Sequence, residues 1–182
     1  MSREPKLYVE DLSHKITPPF LDDETYTKAS PAFVIVCADL IFINRARRTF
    51  IMAKRAVYAA KDWWTFGGRV KAGELLKQTV VRCLKRETSL DIPTERLSYI
   101  TEKRYWCSMR QQEPQNAGGD YLAFIFAYEP SSEEITIASS HLDPKEYEPI
   151  GLTEFNRAQL KLMINWKPML DLYDEIFPID VR

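Results

Sequence analysis

Cysteine is scarce and scattered. The chain carries three, Cys37, Cys83 and Cys107, with no CxxC pair among them, which argues against a zinc site or a disulfide framework and reads as reduced, mostly buried thiols. Excess charge is missing as well. With 25 basic and 26 acidic residues the net charge is −1, so no general attraction draws the chain to nucleic acid or to an anionic membrane. No run approaches the roughly 18 apolar residues that a membrane span needs, and Met1-Ser2-Arg3-Glu4-Pro5 has no apolar signal core. A cytosolic protein is expected. Internal repeats and low-complexity segments are also absent.

What is present is enough for one sizeable core. A chain of 182 residues at 45% hydrophobic content predicts one domain rather than two. Residues 1–30 are polar and punctuated by Pro5, Pro18-Pro19 and the acidic Asp22-Asp23-Glu24, and read as an arm with little regular structure, containing a solvated His14. The arm invites packing on a second subunit. Ala32 to Asn44 reads as a strand, Arg45 to Arg48 as a charged turn and Thr49 to Lys54 as the second strand of a hairpin. An aromatic strand through Trp63, Trp64 and Phe66 stops at Gly67-Gly68, and a helix begins near Gly73-Glu74. On that helix Leu76, Val80 and Leu84 form a buried stripe with Cys83 and Thr79 beside it, and Glu74, Arg82, Arg86 and Glu87 lie off it. Strands are expected over Leu97 to Trp106 and Asp120 to Tyr128, separated by a polar loop, Gln111 to Gly119. Further on come an acidic loop from Glu129 to His141, a short strand around Tyr147 to Leu152, a short helix capped by Thr153 or Asn156, and a last helix over Lys167 to Ile176 with Pro168 in its first turn.

Gly67 and Gly68, lacking Cβ, allow close approach of backbone to an anion or a metal. Gly68, five residues, Glu74, seven residues and Arg82 resemble the first half of the Nudix box. The second half departs from the family pattern: Cys83 and Arg86 stand where glutamates are expected, only Glu87 of the three metal-binding glutamates is present, and the late glycine is replaced. Upstream, Asp39, the hairpin, Lys54-Arg55, the aromatic segment and Gly67-Gly68-Arg69 are similar to the GDP-mannose mannosyl hydrolase branch, which keeps only the third glutamate. The resemblance covers about Phe33 to Ile92. It implies an α/β fold, the Nudix-type α/β/α sandwich with a mixed sheet, over residues 31–182.

The same resemblance implies a divergent Nudix hydrolase acting on a nucleotide sugar or related nucleoside diphosphate derivative, assisted by Mg²⁺ or Mn²⁺. In it Glu87 and the Gly67 carbonyl hold the ion, Arg55 and Arg69 neutralise the diphosphate, Asp39 takes a sugar or base hydroxyl, and His141 is the general base, with Asp143, Glu146 and Glu148 as rivals. Arg55 and His141 are thus the catalytic pair, and Gly68, Glu74 and Arg82 shape the box, the last two as an ion pair. Tyr105 and Trp106 are open to stacking on a ligand; Trp63 and Trp64 read as core. The residues themselves pull two ways. Positions 83, 86 and 87 share a helical face, and a guanidinium there opposes a divalent cation: two unit charges about 4 Å apart interact by about 4 kcal/mol at an effective dielectric near 20. Either Arg86 swings away or it does part of the metal's work on the substrate. The competing expectation is therefore a Nudix-fold module that has lost its metal and binds a nucleotide or a protein partner. A third is ordinary pyrophosphate cleavage with carboxylates from residues 129–148 replacing the missing glutamates.

Overall fold

The computed structural model describes residues 4–10, 13, 16–17, 21–163 and 167–178; His14 and Pro18-Pro19 lie outside them. A sheet of seven strands is built from β1 (Ile35–Asn44), β2 (Thr49–Lys54), β3 (Trp63–Trp64), β4 (Phe66–Arg69), β5 (Ser98–Cys107), β6 (Gly119–Tyr128) and β7 (Thr153–Phe155). Five run in the order β3-β2-β1-β6-β5, with β4 paired to β1 and β7 to β2. The β1–β6 pair is parallel and the other pairs antiparallel, so the sheet is mixed.

Alternation along β1 sends its side chains to two cores. Ile41 and Ile43 join Phe50, Met52, Trp63 and Trp64 beneath the last two helices, α4 (Arg157–Met163) and α5 (Lys167–Ile176), through Leu160, Met169 and Leu172. Leu40 and Phe42 point the other way, against Val80 and Leu84 of α2 (Leu76–Thr88). Helices therefore cover both faces, which is the α/β/α sandwich.

Local chemistry sets the boundaries. α2 begins at Leu76, not at Gly73-Glu74, because Gly73 takes a positive φ of 81° and the Leu75 N–H is held by Gln78 Oε1 at 2.9 Å. Gly67-Gly68 does not end a strand; it lies inside β4, with Gly67 opposite Asp39. The arm expected to be irregular contains α1 (Asp23–Ala29), whose first turn is capped by Asp22 accepting from the Thr25 N–H at 2.7 Å. The acidic stretch after Glu129 is α3 (Ser132–Ser140), closed by a reciprocal Ser131–Glu134 capping box. The strand expected around Tyr147 to Leu152 is a single bridge from Tyr147 to Arg55. The chain turns at Gly151, φ 81°, before β7 pairs with Phe50 to Met52. Asn156 caps α4, exchanging hydrogen bonds with Gln159. No helix among the described residues is long and apolar enough to cross a membrane.

Candidate functional site

β1 is forked. Its outer half pairs with β2 through Phe42 to Asn44, its inner half with β4 through Cys37 to Leu40. Thr65 bridges the fork, since Trp63 and Trp64 belong to β2's side and Phe66 onward to β1's. Beside this split lies a cleft of about 210 Å³. Its floor is the sheet face that α4 and α5 leave open: Cys37 and Asp39 from β1, Tyr121 and Ala123 from β6, Tyr105 and Cys107 from β5. Arg55, Arg69, Arg86 and Glu146 stand around it.

Glu87 is buried against Arg86, Gly67 and Tyr147, which line the cleft, and its placement corrects the expectation that it sits off the buried stripe. It is 1% exposed. Tyr147 Oη donates to Glu87 Oε2 at 2.6 Å, the Gly67 N–H reaches the same oxygen at 3.4 Å, and Arg86 Nη2 donates to Oε1. Glu146 then joins the two arginines: its Oε1 lies 3.5 Å from Arg86 Nη2 and its Oε2 3.5 Å from Arg55 Nη2. The result is a chain of alternating charge, Glu87, Arg86, Glu146, Arg55, with Asp39 close enough to Arg55 and Glu87 to feel both.

Burial dominates the titration of these carboxyls. It pushes Asp39 up to about 7, with Arg55 opposing and the Glu87 charge adding to the rise. Burial likewise carries Glu87 to about 7 against the pull of the Tyr147 hydrogen bond and Arg86. Two interacting carboxyls, Asp39 in the cleft lining and Glu87 buried behind it, are thus both raised toward neutrality, a pattern associated with functional sites.

Glu74 behaves oppositely. Arg82 clamps it with Nε at 2.6 Å and Nη2 at 2.7 Å, Thr79 Oγ1 donates at 2.6 Å and the Lys71 N–H at 3.2 Å, and the Arg82 hydrogen bonds are the main reason its carboxyl falls to about 2. Arg82 also holds the Arg69 carbonyl at 3.0 Å. This network ties α2 to β4 and shapes the turn between them, on the far side of Gly68, whose missing Cβ leaves room for Cys83 Sγ.

A divalent cation needs several oxygen ligands, and the donors present do not fit one held by this chain. Both Glu87 oxygens already accept hydrogen bonds, Oε1 from Arg86 and Oε2 from Tyr147 and the Gly67 N–H. Positions 83 and 86 supply a buried thiol, raised to about 11 chiefly by burial, and a cation. Among the described residues no cluster of three ligating side chains forms.

Of the expected site residues, Asp39, Arg55, Gly67, Gly68, Arg69 and Arg86 meet at the cleft. Tyr105 reaches it and Trp106 does not: the latter is 79% exposed, near Arg104. His141 is not part of the lining; it ends α3, with Nδ1 against the Ile137 carbonyl and Ser140 Oγ. Glu146 comes to the site where His141 does not. Tyr147 and Tyr26 were not anticipated there. Tyr147 has a sequence cue only in its neighbour Glu146. Tyr26, whose ring lies 3.8 Å from the Arg69 guanidinium, had one in the acidic helix start at Asp22 to Glu24.

The NUDIX domain family model matches residues 35–172. Among solved structures, a MutT protein from Methanosarcina mazei Go1 is 16% identical, covers 78% of this chain and 91% of its own, and superposes with a TM-score of 0.55. A MutT NUDIX hydrolase from Burkholderia pseudomallei gives 16% identity, 70% and 87% coverage and 0.54; the E. coli dihydroneopterin triphosphate pyrophosphohydrolase gives 13%, 79% and 97%, and 0.53. At these identities the likeness is one of fold. No curated protein matches the chain by sequence.

Proposed function

The chain belongs to the NUDIX domain family, whose hydrolases generally use divalent metal ions and bind small-molecule nucleotide substrates, and on that premise we propose that it hydrolyses a nucleoside diphosphate derivative with arginine, not a protein-held ion, neutralising the diphosphate. The observation that carries this reading is the seating of Arg86 on Glu87 at the edge of a cleft that Arg55 and Arg69 also line. Guanidinium groups match phosphate oxygens in pairs and stay charged at every relevant pH. A ligand diphosphate entering the cleft competes with Glu146 for Arg55 and Arg86, whose present contacts with it are long.

For a nucleotide sugar the corresponding reaction is displacement at the anomeric carbon. Water forms the new carbon–oxygen bond, the bond from carbon to the diphosphate oxygen breaks, and its electron pair stays on that oxygen of the departing nucleoside diphosphate, whose charge the arginines neutralise. The proton of the attacking water passes to a carboxylate. Asp39, lining the cleft with its carboxyl raised to about 7 by burial, suits that role, and His141, which is not in the lining, does not. The sugar-nucleotide assignment rests on the sequence likeness around Asp39, Arg55 and Arg69.

A second reading, a binding module without turnover, is favoured by the absence of His141 from the cleft. A panel of nucleotide sugars and nucleoside triphosphates, assayed with Mn²⁺ and separately with chelator, tests both. Free sugar released in chelator supports hydrolysis by arginine. Tight nucleotide binding without product supports the module, and turnover only with Mn²⁺ refutes the arginine reading.

A further inference from the structure

The cleft continues past the arginine ladder onto a wall to which α1, outside the matched family region, contributes Tyr26 and the loop after β5, inside it, contributes Gln111 and Gln112. Asp39 and Cys37 are two residues apart on β1, about 7 Å at strand rise, so a ligand whose diphosphate lies beside Asp39 and Arg55 extends along the floor toward Cys37 and Tyr121. At that end stands Tyr26 of α1, nine residues before the family match begins at residue 35. Its ring packs on the Arg69 guanidinium at 3.8 Å, and it lines the cleft together with Gln111 and Gln112 from the loop after β5.

These two pieces are joined by Arg110, only 3% exposed. Its Nη1 donates to Ser30 Oγ, just beyond α1, at 2.8 Å, its Nε to the Gln112 carbonyl at 3.2 Å and its Nη2 to the Glu113 carbonyl at 3.4 Å. A buried guanidinium with its donors spent on one loop and one helix end fixes the loop against α1. Gln111 and Gln112 are thereby held in the cleft lining with the Tyr26–Arg69 pair.

We propose that Tyr26, Gln111 and Gln112 form a subsite for a planar nucleobase, with Tyr26 and Arg69 as the stacking platform and the glutamines reading the base edge. An aromatic ring offers a face on which any base stacks, and an amide supplies both a donor and an acceptor to a base edge. Arg69 then serves both ends, its charge toward the diphosphate and its plane within the stack. The assignment rests on the diphosphate reading, because it fixes which end of the cleft the phosphates occupy.

Calorimetry with the full chain in chelator tests it, using inorganic pyrophosphate and a set of purine and pyrimidine nucleoside diphosphates. The readout is the ratio of nucleoside diphosphate to pyrophosphate affinity. In the wild type at least one base raises the ratio by about tenfold, the scale of one stacked base. Tyr26→Ala and Gln112→Leu bring it toward one, and Tyr26→Phe, which keeps the ring, preserves it; far-UV circular dichroism confirms that each variant is folded. A ratio near one for every base in the wild type overturns the subsite, as does a ratio unchanged in Tyr26→Ala and Gln112→Leu. Failure of pyrophosphate itself to bind counts separately, against the diphosphate reading.

Discussion

Asp39 and Glu87 carry the least comfortable charges in the molecule. Both carboxyls are raised to about 7 from ordinary values of 3.8 and 4.5. For a group whose folded pKa is raised, the associated stability is complete below the unfolded value and is lost as pH climbs through the folded one. The two carboxyls therefore weaken the fold progressively from about pH 4 to pH 7. Asp39→Asn is expected to stabilise the protein by about 1–2 kcal/mol at pH 8, on the scale of other relieved functional sites, with a smaller gain at pH 4; denaturant melts at the two pH values check it. Gly67 sits at the opposite extreme of tolerance. Its φ is 144°, and a Cβ there comes within 2.4 Å of the Ala38 carbonyl and 2.6 Å of Asp39 Oδ1. Gly67→Ala is expected to cost about 3 kcal/mol or more through strain at this special backbone position, measured by the same melts, whereas Gly68, at 3.2 Å from the Cys83 sulfur, offers a softer neighbour.

At the scale of elements, α2 shows how the box keeps its shape without two of its glutamates. The Glu74–Arg82 clamp and the Tyr147–Glu87 hydrogen bond anchor the helix to β4 and to the loop before β7, independent of what stands at 83 and 86. Restoring acids there is expected to rebuild a cation site: Cys83→Glu with Arg86→Glu should bind Mn²⁺ at least about tenfold more tightly than the wild type, as the local charge changes from one cation to two anions. Manganese titration by electron paramagnetic resonance measures this, and equal affinities would contradict the assignment of that face. Much of this element was legible. The stripe Thr79, Val80, Cys83 and Leu84 follows from helical period, and β2 and α5 fell at their predicted bounds because a charged turn and Pro168 mark them. Glu87 was misread because charge alone assigns a carboxylate outward, although it stands four residues after Cys83 and three after Leu84; Tyr147, sixty residues away, the Gly67 N–H and Arg86 make its burial tolerable. α1 and α3 were missed although Asp22 and the Ser131–Glu134 pair signal helix starts, since acidic runs were read as solvated loop. The bridge at Tyr147 depends on Arg55, just past β2, and the strand at Thr153 on β2 itself, partners that no local pattern reveals.

On the scale of the whole molecule, the cleft balances three arginines, Arg55, Arg69 and Arg86, against Asp39 and Glu146 in its lining and Glu87 buried behind Arg86. An anion and a cation read this balance with opposite signs. A diphosphate drawing Arg86 away from Glu87 favours the protonated form of Glu87, so its affinity is expected to rise as pH falls from 8 toward 6.5, with less dependence in Glu87→Gln; a divalent ion shows the reverse trend. The sandwich brings these groups together from β1, the β2–β3 segment, β4, α2 and the loop before β7. Family membership accounts for that convergence, and the residues at 83, 86 and 146 account for its charge.

Isothermal calorimetry with a nucleoside diphosphate, in chelator and in millimolar Mg²⁺, tests the central claim most directly. Arginine-held diphosphate predicts affinities within about threefold of each other and a loss of about tenfold or more in Arg86→Ala, the worth of one charge-assisted contact. Binding that appears only with Mg²⁺, and survives or improves in Arg86→Ala, would contradict it.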